Sequence, residues 1–466
     1  MTANELKGHS GFDEVLSDFE EEGDRQMVKL LILADDFTGA LDTGVQFSGK
    51  GIRTQVVVSG HWVEPDSDCD VMVIDVETRH VPKEKAYEIV YDVCQQAVKY
   101  GIRCFYKKTD SALRGNVGSE LQAAADAVSE KDIIFVPAFP AMRRITVEGV
   151  HYIDGIPVKE SVFGQDPFEP VMHDRVDELL QATGYKGEII GVGKAERKLQ
   201  TAEEGKTQEA EKRKQQEAGS AKQQEAGSAK QRLYLYDAET DADLDEIAEV
   251  VSKKKEIPIL SGCAGFAAKL PELLELPVKE SGDVKLKENL VFLCGSVNPI
   301  TKSQIVYGEK MGILRIHLKP EEKLEISYWD QPEGLEKIRQ LAKDGMQHII
   351  IDSNDEEGHN DTMEYAAQKG YTIEDVRVRI SETLGYLLKK LIDAGMEGTY
   401  LITGGDTLIG FMKAIGVSEL EPVNEIRPGC VLTSLNYQDK KHYVITKSGG
   451  FGQERLIEQL TKILAQ

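Results

Sequence analysis

The stretch Val28-Lys29-Leu30-Leu31-Ile32-Leu33-Ala34-Asp35-Asp36-Phe37-Thr38-Gly39-Ala40 joins an unbroken apolar run to two carboxylates and a glycine. An apolar strand with no polar alternation is one covered on both faces, as in a parallel sheet flanked by helices. Adjacent strand residues point to opposite sides, so Asp35 and Asp36 are expected to have different partners. One of them can accept hydrogen bonds from a polyol while the other caps the following helix or acts as a base. Asp42 falls one or two turns into that helix and can face the same crevice.

The pattern repeats outward from this point. Apolar runs at 54–58, 71–76, 104–107 and 132–136 alternate with helical stretches near 40–49, 82–100 and 117–129. The second half continues with strands expected at 257–260, 289–294, 312–317, 347–351, 398–403 and 442–446. Helices are expected there near 264–274, 299–311, 332–343, 373–395, 406–415 and 453–464. The fold class that follows is α/β, with two α/β domains, mainly parallel sheets, and the active site in the inter-domain cleft. Residues 1–26, with eight acidic and two basic side chains, read as an acidic extension without the apolar core of a signal peptide. Residues 27–199 read as the first domain, 200–232 as a low-complexity insertion and 233–466 as the second domain. The octet Lys-Gln-Gln-Glu-Ala-Gly-Ser-Ala occurs twice within the insertion, at 214–221 and 222–229, and offers nothing to bury.

Composition narrows the function. The 466 residues carry a formal net charge of −24, from 80 acidic and 56 basic side chains. That balance disfavours a protein that coats nucleic acid or an anionic membrane. No run approaches the apolar length of a membrane helix. Six cysteines, at 69, 94, 104, 263, 294 and 430, form no C-x-x-C pair and suit a reducing cytoplasm.

The remaining charge-bearing motifs also sit at strand ends. Lys107-Lys108-Thr109-Asp110-Ser111-Ala112-Leu113-Arg114-Gly115-Asn116 concentrates cations in an acidic chain, and Arg114 has the fork geometry that grips a carboxylate. Pro137-Ala138-Phe139-Pro140-Ala141-Met142-Arg143-Arg144 can add to an anion pocket, and the segment around His151 and Pro167-Phe168 can form a packing loop or lid. His151 by itself is read as structural or substrate-contacting rather than as the base. In the second half four Gly-rich turns end strands: Ser261-Gly262-Cys263-Ala264-Gly265, Cys294-Gly295-Ser296-Val297-Asn298, Thr403-Gly404-Gly405-Asp406-Thr407 and Lys447-Ser448-Gly449-Gly450-Phe451-Gly452. Glycine admits close backbone approach to phosphate, and a helix N-terminus supplies free N–H donors. None has the spacing of a P-loop or of the dinucleotide fingerprint. Asp406 beside a phosphate-binding glycine pair implies Mg²⁺ or proton transfer there, with helix capping as the alternative. Lys447 can neutralise phosphate.

Taken in order, Ala-Asp-Asp-Phe-Thr-Gly-Ala (34–40), Lys-Lys-Thr-Asp-Ser-Ala-Leu-Arg-Gly-Asn (107–116), Pro-Ala-Phe-Pro (137–140), Gly-Ser-Val-Asn (295–298), Thr-Gly-Gly-Asp-Thr (403–407) and Lys-Ser-Gly-Gly-Phe-Gly (447–452) resemble the four-carbon acid sugar kinase family. The resemblance spans about Val28 to Leu464 without the octet insertion. It implies a sugar-acid-binding first domain and an ATP-binding second one, and γ-phosphoryl transfer to the terminal hydroxyl of threonate, erythronate or an oxo-tetronate. By motif it places Asp35, Asp36, Lys108, Asp110, Ser111 and Arg114 at the sugar acid. It places Ser296, Gly404, Gly405, Asp406, Thr407, Gly449 and Gly450 at ATP, with Asp36 and Asp406 as the catalytic carboxylates and Mg²⁺ as the accompanying ion. Asn298 and Ala112 stand where the family often has Ser and Thr. A homodimer is the default for any assembly. A non-catalytic sugar-acid sensor and an NAD-dependent dehydrogenase are the alternatives, the latter opposed by the missing fingerprint.

Overall fold

Hydrophobic burial builds two α/β units around continuous apolar strands. The computed structural model describes residues 28–66, 68–129, 132–166, 170–191, 193, 231–254, 256–257, 259–279, 284–343, 348–427, 429–447 and 452–465. The acidic extension at 1–26 and almost all of the low-complexity insertion therefore lie outside the described residues.

The first unit comprises residues 1–54 and 59–279. Its strands are β1 (Leu30–Ala34), β3 (Val71–Asp75), β4 (Phe105–Lys108), β5 (Asp132–Val136), β9 (Glu188–Ile190), β10 (Arg232–Leu235) and β11 (Ile259–Gly262). They line up as β3-β1-β4-β11-β5-β10-β9, every pairing parallel. All five residues of β1 are buried, as its unbroken apolar run requires. Helices α1 (Phe37–Ser48), α2 (Lys83–Tyr100) and α3 (Val117–Val128) follow β1, β3 and β4. A separate antiparallel sheet of β6 (Arg144–Val147), β7 (Val150–Ile153) and β8 (Ile156–Pro157) stands where the sequence suggests a loop or lid.

The second unit comprises residues 280–466 together with 55–58, most of strand β2 (Thr54–Val58). Its further strands are β12 (Leu290–Cys294), β13 (Leu314–His317), β14 (His348–Asp352), β15 (Thr399–Thr403), β16 (Glu419–Arg427), β17 (Cys430–Tyr437) and β18 (Lys440–Lys447). The order is β13-β14-β12-β15-β18-β17-β16, parallel from β13 to β18 and antiparallel from β18 through β16. Val56 and Val57, both fully buried, pair with Leu420 and Glu419 of β16. The C-terminal helix α8 (Leu456–Leu464) packs Leu456, Ile457 and Leu460 against Leu290, Phe292 and Ile445. The helices between include α5 (Pro299–Lys310), α6 (Ile373–Asp393) and α7 (Gly405–Ile415).

The boundary expected at 233 lies instead at 279/280. Residues 232–235 and 259–262 are β10 and β11, which insert beside β5 and between β4 and β5. Helix α4 (Asp241–Ser252), started by a reciprocal Thr240–Asp243 capping box, thus belongs to the first unit. The helix expected at 264–274 is two short ones, Ala264–Ala267 and Leu270–Leu273, with Pro271 at the start of the second.

Candidate active site

The end of β1 delivers Asp35 and Asp36 with different partners. Asp36 is the N-cap of α1, extended at φ −147° and ψ 159°, its Oδ1 accepting from Gly39 N at 3.0 Å. Arg79, beyond the end of β3, donates to both carboxylates: Nε and Nη2 lie 2.8 and 2.7 Å from Asp35 Oδ2, and Nη1 and Nη2 lie 2.8 and 2.7 Å from Asp36 Oδ2 and Oδ1. Asp110 takes Arg114 in a two-pronged pair, 2.9 Å on each side, and stands 3.6 Å from Arg79. Arg114 is thus matched to an internal carboxylate, so the carboxylate grip expected of it is already satisfied within the chain. Asn116 Nδ2 donates to the Thr78 and Val81 carbonyls, at 2.9 and 2.8 Å, and holds the Arg79 loop against the turn after β4.

Burial alone would raise both Asp35 and Asp110. For Asp35, Arg79 and Lys108 outweigh it and hold the carboxyl below its usual range, and for Asp110, Arg114 and Arg79 push it well below. Asp75, ending β3, behaves oppositely: burial, reinforced by the charge of Asp36, drives it well above the carboxylate range. A buried neutral acid beside two ionised ones can donate as well as accept.

Alternation along β4 separates the two lysines. Lys107 turns into the core, its Nζ 2.8 Å from Glu120 Oε2 and 2.7 Å from the Lys108 carbonyl, and is structural. Lys108, 5% exposed, turns to the N-terminus of α1. A Cβ on Gly39 would collide with Lys108 Nζ and come 2.6 Å from Asp36 Oδ1, so glycine is needed for this approach. The Lys108 side chain makes no hydrogen bond or ion pair among the described residues. At the carboxyl ends of β3, β1 and β4, Asp35 Oδ1, Asp75 Oδ2, Thr78 Oγ1 and Thr109 Oγ1 are buried and without a hydrogen-bond partner. Each such atom ordinarily costs about 1–3 kcal/mol.

Ser111 follows Asp110, and its hydroxyl accepts from Arg144 Nη1. His151 lies fully buried between β7 and this turn, Nδ1 3.0 Å from Thr146 Oγ1 and Nε2 3.0 Å from the Ser111 carbonyl. Burial lowers its pKa to about 4, so it is neutral and structural, as its sequence position suggested. Arg143 instead points outward, 75% exposed and 3.4 Å from Asp154. It does not join Arg144, because its left-handed backbone ends the short 140–142 turn. Asp42 is half-buried in α1.

In the second unit the strand-end turns converge. The chain runs from β12 to β13 and β14 on one side and returns to β15 on the other, the arrangement that opens a ligand crevice at strand ends. Gly404, at φ +93°, lets β15 turn directly into α7 and donates its N–H to the Lys447 carbonyl at 3.3 Å. A side chain on Gly295 would overlap Thr407 Oγ1, so the 295–298 and 403–407 turns meet. Gly405 and Asp406 open α7, and Asp406, 53% exposed, is paired to Arg377 of α6. The Ser296 carbonyl accepts from Asn354 Nδ2 at 3.2 Å, and Asn354 is fixed by Asp352 Oδ1 at 2.8 Å. Asn298 Oδ1 caps α5 through Ile300 N at 2.9 Å. Lys447 is buried, its Nζ 3.1 Å from Thr301 Oγ1, and desolvation lowers it to about 8. Gly449 and Gly450 lie outside the described residues.

Sequence reasoning thus places Asp35, Asp36, Lys108, Asp110, Ser111 and Arg114 in one cluster, and Ser296, Gly404, Gly405, Asp406 and Thr407 in another. It missed Asp75, Thr78 and Arg79 in the first and Arg377, Asp352 and Asn354 in the second. Val-Ile-Asp-Val-Glu-Thr-Arg (73–79) and Ile-Asp-Ser-Asn (351–354) carry the same signal, a buried strand running into small and charged residues. Arg377 had none, since it reaches Asp406 from the second turn of α6. Among the described residues no three His, Cys, Asp or Glu side chains cluster as a metal cage, and no helix is long and apolar enough to cross a membrane.

Residues 30–270 match a family described as a sugar-binding N-terminal domain, and 291–457 one described as a nucleotide-binding C-terminal domain. Both matches fall within the two units. A D-threonate kinase of Salmonella typhimurium is 28% identical over 433 residues, 92% of this chain and 96% of that one. A D-erythronate kinase of Heliobacterium modesticaldum is 26% identical over 416 residues, 86% of this chain and 89% of its own. A crystal structure of a Salmonella typhimurium protein described as a tRNA synthase superposes with a TM-score of 0.72 at 22% identity, covering 93% of this chain and 99% of that one. At that identity the likeness carries the fold alone.

Proposed function

The chain belongs to the four-carbon acid sugar kinase family, and from that premise we propose that it transfers the γ-phosphoryl of ATP to the terminal hydroxyl of threonate, erythronate or an oxo-tetronate. The observation that carries this reading is the set of buried, unpartnered polar atoms at the carboxyl ends of the adjacent strands β3, β1 and β4: Asp35 Oδ1, Asp75 Oδ2, Thr78 Oγ1 and Thr109 Oγ1. A polyol is their natural complement, since each hydroxyl both donates and accepts. The second unit would hold ATP on the turns at Ser296 and Gly404–Thr407, where α7 offers free N–H donors to phosphate. The six free cysteines fit a cytoplasmic enzyme.

Mg²⁺ fits this donor set. The ion is usually carried by the nucleotide phosphates, waters and one or two carboxylates, and Asp406 provides an exposed carboxylate at the turn. It would neutralise charge on the phosphates. Asp36 orients the accepting hydroxyl and takes up its proton as the oxygen–phosphorus bond forms and ADP departs. Such transfer relies on positioning and charge neutralisation more than on a strong base.

The test is ADP release from Mg-ATP against threonates, erythronates and oxo-tetronates of both configurations. Turnover with one member establishes the reading and names the substrate. Silence across the panel together with failure to bind ATP would refute it.

A further inference from the structure

Four cations surround the Asp110–Ser111 turn, and they are not equivalent. Arg79 is neutralised by Asp35 and Asp36, and Arg114 by Asp110. Lys108 and Arg144 have no ion-pair partner among the described residues. Lys107 with Glu120 cancels apart from them, and Asp35, Asp36 and Asp110 are already taken up by Arg79 and Arg114. Two cations are left without an ion pair, in a chain whose net charge is −24. A monocarboxylate supplies a counter-charge for them, and a neutral polyol does not.

The two unmatched cations differ in setting. Lys108 is held between Asp36 and the N-terminus of α1. Arg144 opens β6, half-buried, with its Nη1 on the Ser111 hydroxyl and its guanidinium carbon 5.3 Å from the Phe163 ring centroid. Arg114 lies 5.1 Å from the same ring. Stacking on an aromatic face fixes the guanidinium plane while leaving its in-plane donors free. His151 bonds both Thr146, on the strand that carries Arg144, and the Ser111 carbonyl, so Arg144 is set against the turn before any ligand arrives.

We propose that Arg144 binds the carboxylate of the sugar acid, with the Ser111 hydroxyl beside it, and so makes the enzyme select an acid over the corresponding neutral polyol. The assignment rests on the kinase reading above and adds the residue that sets its substrate class. Arg144 is a specificity residue, distant in role from phosphoryl transfer.

The experiment compares wild type with Arg144→Gln and Arg144→Lys on the preferred sugar acid and on its primary amide, which keeps every hydroxyl and removes the charge. In the wild type the acid should exceed the amide in kcat/KM by about 100-fold or more, the scale of an unmatched charged contact. In Arg144→Gln that ratio should fall to within about 5-fold, with the loss in KM for the acid and little change for the amide, and Arg144→Lys should recover part of it. Melting temperature and ATP affinity, read on the same preparations, separate misfolding from loss of recognition. A well-folded Arg144→Gln that keeps the wild-type acid preference overturns the assignment. Equal loss on acid and amide also overturns it, since that marks a structural role. A wild type that phosphorylates no four-carbon acid overturns the kinase reading and the assignment with it.

Discussion

Asp406 opens α7 behind Gly404, whose positive φ favours glycine, and Arg377 holds its carboxylate from the neighbouring helix. Asp406→Asn keeps the shape and removes the charge. Turnover should fall by about 100-fold or more, while the melting temperature stays close to that of the wild type, because an exposed pair contributes little to stability. Steady-state ADP release with a parallel melt checks this, and wild-type kcat in the variant would remove Asp406 from the chemistry. At this scale the sequence speaks clearly where a side chain ends its own strand, as Asp35, Asp36, Lys108 and Asp406 do. It is silent where the function is a pairing. Nothing in Lys-Lys reveals that Lys107 is consumed by Glu120 while Lys108 is kept open, and nothing in Arg-Arg separates the outward Arg143 from the inward Arg144. Those outcomes depend on which face of an element meets the core.

The β6–β7 hairpin shows the same limit one level up. Its strands are four residues each and carry no apolar alternation long enough to be recognised, yet tertiary contact fixes them through His151. Likewise Glu419–Arg427, with Pro422 and four charged residues, does not read as a strand; it forms because β17 pairs along its length, with irregular register at Pro422/Asn424. The hairpin gives a measurable pH signature. Folded His151 takes up a proton only near pH 4, whereas the unfolded imidazole does so near 6.5. The unfolded state therefore binds more protons between these values, and stability falls as pH drops through that window. The full difference is about 3 kcal/mol. Urea midpoints of wild type and His151→Gln at pH 7 and pH 4.5 should show a smaller pH-dependent loss in the variant. Equal losses would show that the imidazole is not kept neutral by burial.

For the whole molecule, strand–helix alternation is enough to foresee two α/β units, because parallel strands buried on both faces leave a continuous apolar record. The boundary is less legible. Nothing in Arg232–Leu235 or Ile259–Gly262 states which sheet each will join, and both join the first. Nor does Gln-Val-Val-Val at 55–58 announce that it pairs with Leu420. A piece spanning 280–466 should therefore be poorly soluble, with the β16 edge at Glu419 and Leu420 unpaired, and grafting 54–58 onto it by a flexible linker should raise its soluble yield and melting temperature. Equal behaviour of the two pieces would mean that β16 needs no partner from 54–58.

That borrowed strand also imposes an order on biosynthesis. Residues 55–58 leave the ribosome long before Glu419–Arg427 exists to receive them. At about 5–20 residues per second the wait lasts tens of seconds. The second unit can close only at the end of translation, so the nucleotide-binding turns are completed last, and a nascent chain stalled before Glu419 carries a finished sugar-acid unit with no means of phosphoryl transfer.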